Sequence, residues 1–457
     1  MAKTPLRRRF ALGSFSAGIA VALVVTGLWF VTLSVPAPHP SSGAAARYLG
    51  LLPDTAGFVP IAVWDQDPSG GNVPAPYFDQ AQAFKAMGVN TFVGISGWPQ
   101  NFGSDDGELA AAVASRMYVI AGGDPSSNTS AASVASVLKL VAATPGASTY
   151  FIGYQWLDEP SCSIDVAAQI ATVQAEDPTR MTYANTGAWV TALPSNDVGS
   201  PACLAQAEDN LLAPSIASAD DYNLTDPWHT ELPSQACGAG GDCLHYYGQE
   251  TTNLVALADG NPVWVFVETG TDDLGLSAEN GGIGEAQRAT PGEVNSAAWL
   301  TLLSGGNGIE WFCDAADDPA NGGHTYYDDC AFNTTIAANL TYIDHRIEHW
   351  APEINAPDIA AAVQVSSSNQ AVPVVADVKQ VGGVTYLMTE GDRRGSTTAT
   401  YTLAADSSGS ATLVYDSDAR YDPKASERGK VFPLSSTGSF SDSLINYGVK
   451  IYAVSGG

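Results

Sequence analysis

The sequence predicts an α/β fold: a (β/α)8 TIM barrel followed by a small all-β sandwich. Three observations lead there. Eight short apolar runs alternate with helix-like stretches between residues 58 and 312. No Gly-x-Gly-x-x-Gly phosphate loop follows the first run, as an open dinucleotide-binding sheet would have it. After Trp350 the texture changes to short β-prone runs separated by Gly, Ser and Asp. At 457 residues the chain holds one barrel of about 250 residues and a second, smaller unit.

The first 46 residues read as export machinery. Lys3 and Arg7-Arg8-Arg9 precede an apolar stretch over 15–35, and no Asp, Glu, Lys or Arg then occurs until Arg47. At about 1.5 Å per helical residue that stretch just crosses a hydrocarbon core of about 30 Å, so residues 1–35 are an export signal or an uncleaved membrane anchor. The length favours the anchor. Small residues near 35–37 and 44–46 suit a signal peptidase, and Arg7-Arg8 with Phe10 resembles a twin-arginine signal. Either route places the remainder outside the cytoplasm, secreted or tethered to the outer face of the membrane. Residues 36–46, rich in Pro, Ser and Ala, form a linker.

The barrel is assigned to 47–355. Its strand-like runs are 58–63, 91–95, 117–121, 149–154, 181–184, 216–222, 263–267 and 308–312. Amphipathic stretches over 77–87, 131–143, 164–176 and 291–303 supply helices between them. Gly88-Val89-Asn90 and Asp177-Pro178-Thr179-Arg180 turn the chain into the next strand. The sandwich is assigned to 356–457, with strands over 372–378, 384–389, 397–403, 411–415, 429–433 and 447–454.

The charge narrows the function. With 48 acidic against 19 basic residues, the net charge of −29 repels phosphate backbones and anionic head groups, so nucleic acid is excluded and a neutral or basic substrate is favoured. Cys162, Cys203, Cys237, Cys243, Cys313 and Cys330 are an even number in an exported chain, which points to disulfides. Six cysteines allow 15 pairings; near neighbours suggest Cys237 with Cys243, Cys313 with Cys330, and Cys162 with Cys203. No Cys-x-x-Cys pair is present, so no metal is assigned to them. His345 and His349 do not reproduce His-Glu-x-x-His, and no Gly-x-Ser-x-Gly elbow appears.

Two carboxylates stand out. Glu159 follows Phe151-Ile-Gly-Tyr-Gln-Trp-Leu-Asp158 and Glu268 closes Val263-Trp-Val-Phe-Val267, each ending an apolar, aromatic run. By strand count they end strands four and seven, on the same barrel mouth. Cleaving a glycoside needs one carboxylic acid to protonate the leaving oxygen and a second carboxylate to attack or to activate water. Flat aromatic faces at strand ends suit sugar rings, which selects Trp98, Trp189 and Trp311 as platforms, while Trp264, mid-strand, is packing. Asn185, just past strand five, is either a partner for a sugar hydroxyl or a turn residue.

Over residues 58 to 350 these motifs resemble the retaining glycoside hydrolases of clan A, the cellulase and β-galactosidase superfamily. The resemblance rests on Trp156-x-Asp158-Glu159-Pro160 followed later by Val267-Glu268-Thr269. It implies Glu159 as acid/base, Glu268 as nucleophile, Tyr222 as the strand-six aromatic that hydrogen-bonds the nucleophile, Trp311 as the strand-eight platform, and no cofactor. It also implies a poly- or oligosaccharide substrate. Asp158 departs from the pattern, which has Asn before the acid/base. An adjacent carboxylate raises the pKa of Glu159 by like-charge repulsion if it faces the site, or caps the chain if it faces away. This departure motivates a rival reading, a cell-surface glycan-binding protein without turnover. An inverting glycosidase, which needs carboxylates about 6.5–9.5 Å apart instead of about 5–5.5 Å, is the other.

Overall fold

The computed structural model describes residues 48–53, 55–64, 77–94, 107–122, 131–161, 164–187, 201–220, 222–224, 243–269, 289–313, 329–332, 334–359, 362–404, 409–417 and 427–456. The proposed signal or anchor and the linker lie outside these residues. Among the described residues no helix is long and apolar enough to cross a membrane.

Eight parallel strands close into a barrel in chain order. They are β1 (Ile61–Trp64), β2 (Thr91–Val93), β3 (Tyr118–Ala121), β4 (Phe151–Leu157), β5 (Met181–Gly187), β6 (Ile216–Asp220), β7 (Val263–Glu268) and β8 (Gly308–Phe312), with β8 pairing back onto β1. The strands are buried on both faces, which is why they read as continuous apolar runs. Around them lie α1 (Tyr77–Met87), α2 (Glu108–Ser115), α3 (Ala131–Ala143), α4 (Ala147–Tyr150), α5 (Val166–Glu176), α6 (Pro201–Leu212), α7 (Tyr246–Leu257) and α8 (Pro291–Leu303). After β8 come α9 (Asp329–Phe332) and α10 (Thr334–Ile354).

Alternate side chains divide the barrel into two apolar bodies. The lumen is filled by Trp64, Val93, Ile120, Ile152, Met181, Tyr183, Ile216, Trp264 and Phe266, so it is a packed core and not a pore. At its N-terminal end residues 48–53 and Phe58 cover this core, with Trp264 Nε1 donating to Tyr48 Oη at 3.3 Å. Gly308 makes room for Trp264: a Cβ there would meet the indole at 2.9 Å and Pro60 O at 3.0 Å. The opposite strand faces pack against the helices.

The C-terminal strands are β9 (Val363–Ser367), β10 (Val374–Val381), β11 (Val384–Gly391), β12 (Ser396–Leu403), β13 (Gly409–Asp416), β14 (Val431–Pro433), β15 (Ser439–Ile445) and β16 (Val449–Gly456). They form a five-stranded sheet, β10-β11-β16-β13-β14, and a three-stranded sheet, β15-β12-β9. Tyr401 and Phe440 of the small sheet share one core with Leu387, Leu413 and Tyr452 of the large one, so the two sheets are a sandwich. The outer face of the large sheet sends Met388, Tyr415, Val449 and Ile451 against Trp299 and Leu303 of α8 and Trp350 of α10. A bulge between Leu413 and Tyr415 turns Tyr415 to that side. Helix α8 is thus covered by the barrel on one side and the sandwich on the other, and Val294 through Leu303 are all buried. Its start is fixed by a capping box between Thr290 and Glu293, with Pro291 in the first turn.

Candidate active site at the C-terminal mouth of the barrel

The mouth is built on the ends of β4 to β8. On β4, a register shift between Gln155 and Leu157 re-aims the chain. Gln155 points across the lumen, where a Cβ on Gly94 would lie 2.4 Å from its Oε1 and one on Gly122 2.3 Å from its backbone oxygen. Trp156 faces outward and donates to Gln169 on α5 at 3.0 Å. Asp158 and Glu159 follow the strand. Glu159 adopts φ +39°, a left-handed backbone that costs a non-glycine residue on the order of 1–3 kcal/mol. Its N–H donates to Asn185 O at 3.0 Å, so β5 holds the strained turn in place. The Glu159 side chain is exposed.

Asn185 organises the carboxyl groups. Its Nδ2 donates to Asp158 Oδ1 at 3.0 Å, and it also hydrogen-bonds Asp220, the last residue of β6. Burial, then the charges of Glu159 and Asp158, hold the Asp220 carboxyl well above the usual carboxylate range, against the lowering effect of Asn185. A hydrogen bond with Glu159 acts upward too. Asp158 therefore faces the site, the first of the two orientations considered for it.

Glu268 ends β7 and is 1% exposed. Its Oε1 accepts from Leu224 N at 2.6 Å and from Tyr247 Oη, on α7, at 2.7 Å. Asn223 Nδ2 donates to Glu250 Oε2 at 2.8 Å, which ties residues 222–224 to the same helix. Tyr222, expected beside Glu268, donates to Asp220 Oδ2 at 3.2 Å, and its ring lies 4.5 Å from that of Phe312. Thr269 Oγ1 bonds Phe312 O at 2.8 Å and contacts Cys330 Sγ at 3.0 Å. The expected Cys313–Cys330 disulfide is present, so the chain after β8 is stapled beside the mouth.

Below this layer, Glu310 of β8 is fully buried. Tyr183 Oη donates to its Oε2 at 2.7 Å and lies 2.7 Å from Ser218 Oγ. Burial first and the Asp158 charge second push Glu310 up to about 8, while the Tyr183 hydrogen bond pulls the other way. Among the described residues no three His, Cys, Asp or Glu side chains are grouped as metal ligands.

The structure thus brings Asp158, Glu159, Asn185 and Tyr222 together around Asp220 and places Glu268 at the end of β7. It moves Trp311 elsewhere: the ring is fully buried between β8 and α10 and donates to Asp344 Oδ1 at 3.0 Å, so it has no face to offer a sugar. Trp264 packs in the lumen as expected. Trp98, Trp189, Cys162 and Cys237 lie outside the described residues, as does the side chain of Cys203; Cys243 is disulfide-bonded. Asp220, Glu310, Gln155 and Tyr247 were not singled out from sequence. Asp220 and Glu310 carried a signal, a charge within an apolar run.

No family model matches the chain, and no curated protein matches it. Solved structures do share its shape. A glycoside hydrolase family 5 structure from Bacteroides vulgatus is 10% identical, covers 87% of this chain and 88% of its own, and has a TM-score of 0.51. A maltogenic alpha-amylase from Thermotoga neapolitana is 9% identical over 86% of this chain and 98% of its own, with a TM-score of 0.49. A GH30 endoxylanase from Clostridium papyrosolvens is 10% identical over 88% and 97%, with a TM-score of 0.43. Of these three, the first supports a common fold. At such identity the likeness is one of fold alone.

Proposed function

We propose that the protein is a retaining glycoside hydrolase acting outside the cytoplasm on a poly- or oligosaccharide. The observation that carries the reading is the placement of Glu159 and Glu268 at the ends of β4 and β7 of a closed barrel, the order found in the family the sequence resembles. In this reading Glu268, its Oε1 held by Tyr247 and Leu224 N, attacks the anomeric carbon while protonated Glu159 delivers its proton to the departing oxygen. Glu159 then takes a proton from the water that releases the sugar from Glu268. Exposure of Glu159 suits a group that must reach both leaving group and water. Asp220 lies beside it, its carboxyl raised by burial and by the neighbouring charges. The basic, apolar N-terminal segment supports export, with residues 15–35 as signal or tether.

The test is reducing-end release from a polysaccharide panel by wild type, Glu268→Gln and Glu159→Gln, with the anomer of the first product followed by NMR. Retention and loss of turnover in Glu268→Gln are expected. Near wild-type activity of Glu268→Gln would remove the nucleophile assignment, and an inverted product would remove double displacement.

A further inference from the structure

Among the described residues that follow each of the eight barrel strands, up to the next helix, none is Lys or Arg. The Asn185 amide bonds both Asp158 and Asp220, and Glu159 hydrogen-bonds Asp220. By sequence, each segment joining the C-terminal end of a barrel strand to the next helix contains at least one Asp or Glu. Together these segments contain no lysine and one arginine, Arg288.

A second observation is independent of charge. Asn185 is 1% exposed and Gln155 3% exposed, and neither Asn185 Oδ1 nor Gln155 Oε1 has a hydrogen-bond donor. Both residues point into the mouth: Asn185 continues the inward row of Met181 and Tyr183, and Gln155 lies over Gly94 and Gly122. A buried acceptor left unpaired is destabilising, so these atoms await donors. Sugar hydroxyls supply donors but no charge. An ammonium group supplies three donors and the missing positive charge at once.

We propose that the sugar unit seated at this mouth carries a protonated amine, so that the substrate class is a glycan of amino sugars with free amino groups. Its ammonium is held by Asp158 and Asp220, with Asn185 Oδ1 as a third acceptor; the glycosidase reading supplies the place of the ring. The ammonium's charge offsets the neighbouring negative charges that raise the Asp220 carboxyl.

Three β-linked polymers that differ at C2 alone test this: chitosan with a free amine, chitin with an acetamide and cellulose with a hydroxyl. Reducing-end release is measured at mildly acid pH. In parallel, the shift in thermal midpoint is measured with glucosamine, galactosamine, glucose, galactose or calcium chloride at fixed ionic strength. At least a tenfold preference for chitosan is expected, with a thermal shift for the amino sugars alone. Asp158→Asn and Asp220→Asn should each reduce that preference and that shift severalfold. Asp79→Asn, the same charge change on the exposed face of α1, should leave both unaltered.

Release from cellulose or chitin equal to or above that from chitosan overturns the amine and leaves the glycosidase reading standing. An amine-dependent shift without release from any polymer supports the amine site and sinks the hydrolase. Shifts that are equal for neutral and amino sugars, absent for both, or produced by calcium and not by glucosamine, overturn the proposal whatever the variants do.

Discussion

Glu310→Gln should stabilise the protein at neutral pH and not at acid pH. Glu310 is fully buried, and its carboxyl is raised from 4.5 to about 8, chiefly by desolvation. Below pH 4.5 the group is protonated in folded and unfolded chains alike, and its contribution is fully present. As pH rises from 4.5 towards 8, the unfolded chain loses the proton while the folded one keeps it, so stability falls. A tenfold change in proton affinity is worth about 1.4 kcal/mol. By pH 7 the wild type has therefore lost about 3 kcal/mol, and by pH 8 about 4 kcal/mol, relative to a side chain that does not ionise.

Glutamine is such a side chain and still accepts from Tyr183. Its amide N–H replaces Oε1, which has no partner, and that mismatch costs about 1 kcal/mol. The variant should then be about 1 kcal/mol less stable than wild type at pH 4.5 and about 2 kcal/mol more stable at pH 7. At about 2 °C per kcal/mol for a chain this large, the Tm difference crosses zero and reaches roughly +4 °C. The assay is differential scanning calorimetry of both proteins between pH 4.5 and 8. Asp158→Asn removes the charge that helps raise Glu310, so the pH-dependent gap should narrow in that background. A gap that is the same at every pH would mean that Glu310 is ionised in the fold, and the account would fail.

Three further outcomes follow from the same geometry. Trp311→Phe removes the donor to buried Asp344 Oδ1 and should cost about 1–3 kcal/mol by denaturant titration while leaving the KM for glycan unaltered; a large rise in KM would restore the platform role. Tyr247→Phe removes one of the donors to buried Glu268 Oε1, so stability should fall by about 1–3 kcal/mol and kcat should fall more than KM changes. Lys450→Met removes the buried cation that Asp442 meets at 2.9 Å and leaves it with the more exposed Lys430 at 3.6 Å, and should cost about 3 kcal/mol. Tyr452 Oη, also bonded to Asp442 at 2.8 Å, keeps the loss from being larger, and no loss would show that the ion pair contributes nothing to the sandwich.

The barrel was legible because parallel strands buried on both sides must be apolar throughout, and all eight runs became strands. In the sandwich the runs behind β10 to β14 and β16 were readable, whereas β9 and β15 were not. Val363-Gln-Val-Ser-Ser367 and Ser439-Phe-Ser-Asp-Ser-Leu-Ile445 are the two edges of the small sheet, with one face in solvent, so polar residues dilute the β signal. In β15 the inward residues Phe440 and Leu444 mark the buried face, but Asp442 between them hides the period, because its partner Lys450 lies on a different strand.

The site was half legible for a reason that parity explains. Strand position located Glu159 and Glu268, but position alone does not say which way a side chain points. Along β7, Trp264, Phe266 and Glu268 share one parity, and the first two fill the lumen. The same rule applied to β8 puts Glu310 inward with Phe312 and sends Trp311 out to Asp344, which is what the structure has. Applied to β6, it carries Ile216 and Ser218 to Asp220 and so finds the carboxyl that lies beside Glu159. Tyr247 had no such signal: it meets Glu268 from a helix, through a loop whose path no periodicity encodes. Parity therefore recovers Asp220 and Glu310, which regular strands aim, and misses Gln155, beside the register shift of β4, and Tyr247, on helix α7.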